Sequence, residues 1–279
     1  MTASVHHFDT VEASLYARYG EARPTVGSAW NDTLSGLLQH RSVRAYLPDA
    51  LEPGTLEAII AAAQSAATSS NQQFWSVVAV EDPERKARLA ELAGGQAHIR
   101  QAPLFLVWLA DLARADRIAA QGGKGREALD YLETLVVSVA DAALAAQTAV
   151  VALESLGLGS VYIGAIRNRP EDVARELGLP PLVLPVFGLC VGRPDPAQPA
   201  FVKPRLPQSA VLHRETYDLS VQAEAVSAYD ETLRGFQQVQ GVAEIGWTPT
   251  VVNRVSNAKA LNGRERLREA LSELGFSLR

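Results

Sequence analysis

One cysteine and one methionine in 279 residues are the scarcest features of this sequence. A lone Cys190 permits no intramolecular disulfide and no cysteine-based zinc site, and such thiol usage predicts the cytoplasm. Nothing in its flanks would lower its pKa, so an inert core thiol is expected. A basic excess is missing too. The 26 Lys and Arg against 31 Asp and Glu leave a formal charge of -5, which argues against a general nucleic-acid binder, whose affinity rests on many cationic contacts to phosphate. Any anion bound should be small. The opening stretch MTASVHHFDTVEASLYARYG lacks the basic start and apolar run of a secretory signal, so no targeting segment is expected. His6 and His7 could touch a metal, but a solvated N-terminus is the plainer account and no metal site is assigned. A charge-free run of membrane length is absent as well: Asp130, Glu133, Asp141, Gln147 and Glu154 interrupt the longest apolar pattern.

What is present is apolar residues in quantity, 47% of the chain, enough for a substantial core, and two clusters of cations. The first is His40-Arg41-Ser42-Val43-Arg44-Ala45-Tyr46. Guanidinium forks match phosphate oxygens and Ser42 adds a neutral donor, which is an anion-binding composition. A solvated basic turn has the same composition. The second cluster is Lys203-Pro204-Arg205-Leu206-Pro207, where prolines stiffen the backbone and let both cations project at little entropic cost.

Along the chain, residues 1–28 read as a polar N-terminal extension that leads into a first helix capped by Asn31 or Asp32. Alternation through Val43, Ala45 and Leu47 predicts a short strand with Arg44 and Tyr46 on its other face. An amphipathic helix over 52–67 runs into Thr68-Ser69-Ser70-Asn71-Gln72-Gln73, a loop dense in donors and acceptors. A strand over 74–80 and a capped helix over 82–93 follow, and Gln96 lies in the connection after Gly94-Gly95. Leu104 to Ala110 reads as a strand buried on both faces. Gly122-Gly123-Lys124-Gly125 lacks the spacing of a phosphate loop. The helix over 127–156 is apolar nearly all round, so it should run through a domain or face a second subunit; the second is preferred. Ser160 to Arg167 begins as a strand whose Gly164 and Ala165 leave room for a flat ligand or another backbone. A short helix over 170–177 precedes a third buried strand over 182–191, where Pro185 and Gly188 imply a bend or an edge. Helices over 224–238 and 256–274 close the chain.

HRSVRAY, TSSNQQ, LAGGQAHIRQAP, ESLGLGSVYIGAIRN, LPVFGLCVGRP and KPRLP occur in this order across roughly residues 31–275. In these blocks the chain resembles the nitroreductase family of FMN-dependent oxidoreductases, specifically the NADPH-oxidising branch of oxygen-insensitive major nitroreductases and flavin reductases. The resemblance implies an α+β fold, a central, mainly antiparallel sheet flanked by helices, in an intertwined homodimer with FMN at the subunit interface. Residues 29–279 would form a single FMN-dependent domain that includes the helical tail. His40, Arg41, Ser42 and Arg44 would hold the FMN phosphate and ribityl chain, joined by Lys203 and Arg205. Thr68 would stand where the family usually has serine, Gln96 would hydrogen-bond the isoalloxazine, and Tyr162, Ile163, Gly164 and Ala165 would run past the ring. Ala165 replaces a common glycine.

The implied activity is transfer of two electrons from NADPH or NADH to nitroaromatics, quinones or flavins by a ping-pong mechanism. It needs no dedicated acid or base, so no catalytic side chain is assigned. A cation near the flavin N1 and O2, Lys203 or Arg205, would oppose the charge of the reduced ring. The implied partners are a second copy of the chain and a small-molecule acceptor, without nucleic acid or membrane. The tail departs from the branch. NADPH-specific relatives carry arginines in the loop that here reads Gln240-Gly241-Val242-Ala243-Glu244-Ile245-Gly246-Trp247, with one acid and no arginine. Arg254 fits a second basic position of the branch. A flavin-binding or flavin-sensing module with little turnover is the alternative on the same fold.

Overall fold

The computed structural model describes residues 10–27 and 29–279; His6 and His7 lie outside the described residues. In chain order the elements are α1 (Val11–Tyr19), α2 (Asp32–Leu38), α3 (Thr55–Gln64), β1 (Trp75–Val80), α4 (Pro83–Leu92), α5 (Ala97–Gln101), β2 (Leu104–Asp111), α6 (Ala113–Gln121), α7 (Leu132–Ser155), β3 (Gly159–Ile163), α8 (Pro170–Leu177), β4 (Val183–Gly192), α9 (Gln222–Val239), α10 (Thr248–Val255) and α11 (Leu267–Glu273). They fall into two compact units. One combines the chain up to Arg41 with Ala200–Leu261; the other combines Ser42–Pro199 with Asn262–Arg279.

The second unit is the expected α+β arrangement, an antiparallel sheet of order β1-β2-β4-β3. The uninterrupted apolar run of β2 is buried along almost its whole length, as a central strand covered on both faces should be. Ile59 and Ala63 of α3 and Ala145, Ala149, Val150 and Leu153 of α7 pack on Leu104, Leu106 and Trp108 of β2 and Leu189 and Val191 of β4. The alanines let the helix approach closely, and each large side chain so buried contributes about 1.5–3 kcal/mol. By length and composition α7 could cross a membrane, but its inner stripe forms this core. Its outer face keeps Leu132, Val136 and Leu144 exposed.

β4 is not an edge, and it is irregular beside Pro185 but not at Gly188, which pairs in register with Val107. The strand is internal, and its register against β2 shifts between Trp108 and Leu109, so that Trp108 faces Phe187 and Leu109 faces Pro185. The extra residue is Val186, next to Pro185, which has no N–H to donate. Gly188 is required by contact: a Cβ there would fall against the Phe105 ring, with Cε2 at 2.5 Å.

The Ser42 to Leu47 segment forms isolated bridges instead of a strand. Ser42 pairs with Ser160 and Tyr46 with Pro194, and Val43 N donates to Ser160 O at 2.8 Å. Gly159 makes this approach possible, since a Cβ would meet Val43 Cγ2 at 2.5 Å. Tyr46 does not share the face of Arg44. It is buried, and its hydroxyl donates to Val43 O at 2.5 Å, while Arg44 is exposed.

The first unit contains α1, α2, α9 and α10. The reading that placed the first helix after residue 28 missed α1, whose N-cap Thr10 accepts from Ala13 N at 3.1 Å. The expected cap of α2 is Asn31, which accepts from Leu34 N at 3.0 Å. The single closing helix expected over 256–274 is not formed. Chain reversal at Asn262 and Gly263, both with positive φ, separates α11 from what precedes it. The short α5 and α6 were also unanticipated.

Candidate functional site

Within the first unit, Arg18 joins the two cationic segments. It sits in the last turn of α1, 5% exposed. Its Nη1 donates to Lys203 O at 2.8 Å, and its Nη2 donates to Leu38 O at 2.6 Å and His40 O at 2.8 Å. Segments more than 160 positions apart therefore meet on one guanidinium. The KPRLP backbone is fixed as its prolines require: Pro204 and Pro207 are buried while Lys203 and Arg205 are exposed, and Tyr229 of α9 donates its hydroxyl to Pro204 O at 3.0 Å. Arg205 N donates to Arg18 O at 2.8 Å, and its Nη1 donates to Lys203 O at 3.1 Å. His40 and Arg41 are half-buried. Arg41 lines a cavity of about 630 Å³ walled mainly by Tyr16, Phe201, Val202, Pro204 and Phe236.

Within the second unit, Ser42 and Arg44 are exposed beside β3. The loop after α3 is held by Asp141 of α7, which is 2% exposed. Asp141 Oδ2 accepts from Thr68 Oγ1 at 2.5 Å and Phe74 N at 3.2 Å, and Oδ1 accepts from Ser69 N at 3.0 Å. Thr68 Oγ1 also accepts from Gln73 N at 2.9 Å, which stabilises a loop in which Ser70, Asn71 and Gln73 have positive φ. The Thr68 hydroxyl thus ties its loop to α7. Gln96 stands at the N-terminal boundary of α5, and its side-chain Nε2 donates backwards to Ala93 O at 3.1 Å. Its position depends on Gly94 and Gly95, both with φ near 80° (79° and 78°), a conformation that suits glycine.

At the end of β3, Tyr162 is the exposed residue and Ile163 points into the core. The Tyr162 ring meets Phe187 edge-on at 5.2 Å, and burial, with Glu154 adding, pushes its phenol up. Gly164 is half-buried beside two guanidiniums: an added Cβ would be in ordinary contact with Arg167 Nη2 at 3.6 Å and Arg264 Nη1 at 3.8 Å. Arg167 also donates to Val186 O; burial and the neighbouring Arg264 hold its pKa below the ordinary value. Cys190 is buried, its thiol pushed up by burial.

Four contributors were missed in the sequence. Arg18 falls on the buried stripe of α1 with Ser14 and Leu15, and a cation three and four positions after such residues is a signal that periodicity alone could have found. Asp141 stands on the buried face of α7 between Ser138 and Ala145, where a carboxylate demands partners. Arg167 and Arg264 meet only through the chain reversal before α11, which no local pattern announces.

The tail loop is anchored at its far end. Asp230 of α9 accepts from Trp247 N at 2.6 Å and Thr248 N at 2.7 Å, and these N–H groups, with Arg234, hold its carboxyl below the ordinary range. Gly246 N donates to Gln237 Oε1 at 2.9 Å. Arg254 Nη1 donates to Ala260 O at 2.7 Å.

Comparison with known proteins matches residues 37–193 to the nitroreductase family and residues 203–279 to the nitroreductase family C-terminal domain. An FMN reductase (NADPH) of Bacillus subtilis is 37% identical over 252 residues, covering 88% of this chain and 99% of that protein. An oxygen-insensitive NADPH nitroreductase of Salmonella typhimurium is 40% identical over 209 residues, 75% of this chain and 84% of that one. The solved structure of NfrA2 from B. megaterium superposes with a TM-score of 0.83 at 38% identity, covering 90% of this chain and all of that one. By matched length, identity and fold, this chain belongs to the nitroreductase family.

Proposed function

We propose that the chain is an FMN-dependent oxidoreductase that takes two electrons from NAD(P)H and passes them, in a ping-pong cycle, to nitroaromatics, quinones or flavins. The observation that carries this reading is the meeting of the His40-Arg41 and Lys203-Arg205 segments on Arg18. Four basic side chains so preorganised suit the phosphate dianion of a mononucleotide. Relatives are named for FMN reduction and for nitroreduction, which supports the same chemistry.

His40, Arg41, Ser42, Arg44, Lys203 and Arg205 hold the phosphate and ribityl chain. Thr68 binds the cofactor from the position where the family usually has serine, Gln96 hydrogen-bonds the ring, and Tyr162, Ile163, Gly164 and Ala165 run past it. Gly164 has no side chain to obstruct a flat group, and the neighbouring Arg167 and Arg264 supply positive charge that favours the reduced, anionic state. Bound FMN would supply the hydride chemistry, and the protein supplies position and field. No side chain needs to move a proton.

Residues 29–279 work as a single FMN-dependent domain behind an extension of residues 1–28, in a cytoplasmic homodimer. The exposed apolar Leu132, Val136 and Leu144 of α7 support the dimer. The test is anaerobic: the purified yellow protein should bleach with NADH or NADPH and regain colour with a nitroarene or quinone. Bleaching without reoxidation by either acceptor would instead favour a flavin-sensing module, and a preparation that does not take up FMN would refute both.

A further inference from the structure

Helix α1 precedes the residues matched by the family models, 37–193 and 203–279, yet its Arg18 is the group on which the two cationic segments converge. A guanidinium is planar and rigid, so donors at its two ends fix two chains at a set separation. Here one end takes Lys203 O and the other takes Leu38 O and His40 O. The connection is reinforced by backbone, since Arg205 N donates to Arg18 O. The carbonyls engaged belong to His40 and Lys203 themselves, and the intervening length is the reach of a single side chain.

We propose that Arg18 is a positioning residue for phosphate recognition: α1 acts as a strap that sets the spacing between the His40-Arg41 and Lys203-Arg205 backbones, and so tunes affinity for the phosphomonoester end of the flavin. This rests on the FMN reading above. Arg18 holds carbonyl oxygens and so presents its neighbours' side chains to the anion. Lysine cannot replace it, because a single ammonium point cannot hold two chains at the spacing of a planar fork.

The experiment uses the full chain stripped of flavin, as wild type, R18A and R18K, titrated with FMN and with riboflavin, which has the same ring and no phosphate. Wild type should prefer FMN. Both variants should bind FMN roughly tenfold or more weakly, the scale of one lost charge-assisted hydrogen-bonded arrangement, with riboflavin affinity unchanged. R18K keeps charge and stem, so it provides the readout if R18A does not fold. Unchanged FMN affinity in R18K, or equal losses for the two flavins, would overturn the proposal. A wild type that does not distinguish the flavins would overturn the FMN reading itself, and the role of Arg18 with it.

Discussion

Thr68 and Asp141, 73 positions apart, share a hydrogen bond of 2.5 Å that ties the loop after α3 to the middle of α7. The carboxylate takes two further N–H donors, from Ser69 and Phe74, so one buried anion organises the whole turn. D141A would leave three donors without their acceptor. Hydrogen bonds to a charged group contribute about 1.5–3 kcal/mol each, and partial solvation of the loop recovers some of that. Urea unfolding of D141A should show a loss of about 2–4 kcal/mol, with weaker FMN binding, whereas T68S should retain both. An unchanged unfolding midpoint in D141A would remove Asp141 from this role.

Two glycines should respond in opposite ways. At Gly188 a methyl collides with the Phe105 ring, and overpacking of this kind costs about 1–3 kcal/mol, so G188A should unfold at lower temperature. At Gly164 the nearest atoms are at ordinary contact distance. G164A should therefore melt like wild type while binding FMN less tightly, if the ring lies there. Calorimetry and flavin titration on the same two variants check both halves.

Acid should weaken the fold in two separate windows. Burial first, and Arg44 second, hold the His98 imidazole below its ordinary 6.5, and its Nε2 is buried without a hydrogen-bond partner. Below pH 6.5 the unfolded chain takes up a proton that the folded chain refuses, so stability falls as pH drops until the depressed folded value is passed. The contribution is constant above that range. Asp172, Glu176 and Asp230 are lowered instead, so what they add is present above the ordinary values of 3.8, 4.5 and 3.8 and is lost further into acid. Unfolding free energies at pH 7.5, 6.5 and 5.5, chosen to lie about the ordinary imidazole value, should decline for wild type and stay level for H98Q.

The 240–247 loop offers a 2'-phosphate one carboxylate and no guanidinium, and Arg254 spends one donor on Ala260 O. Steady-state kcat/KM should favour NADPH over NADH by less than about 100-fold, some 2.7 kcal/mol. E244R should increase the preference. A larger ratio in the unaltered chain would mean that another cation has taken over the task.

Dilution should dissociate the dimer proposed above, and charge on the outer face of α7 should do so sooner. V136E/L144E is expected to sediment as a monomer at concentrations where wild type does not. Identical sedimentation would locate the subunit contact elsewhere.

The strongest sequence signals came from elements whose residues agree at every level. LFLVWLA reads as a covered strand and is one, and of the two caps expected, Asn31 or Asp32, Asn31 is the one that accepts from Leu34 N. KPRLP revealed its extended backbone because proline permits little else. What failed depended on distant partners. Tyr46 alternates as if it shared a face with Arg44, but its hydroxyl finds Val43 O and its ring finds the core. The partner of the Thr68 hydroxyl, Asp141, lies 73 positions away and no local pattern names it. The polar opening masked α1 because the charged residue on its inner stripe is satisfied by carbonyls that lie far along the chain.

The irregularity opposite Pro185 changes the phase of β4. Leu189 and Val191 have odd numbers and Leu184 and Val186 even ones, yet all four contribute to buried clusters, because the additional residue resets which parity looks inward. The strand is in effect two half-strands spliced out of step. Removing a single residue elsewhere in the strand would turn part of it inside out, a far graver lesion than replacing any one side chain, whereas removing Val186, the extra residue, would leave both halves on their present partners.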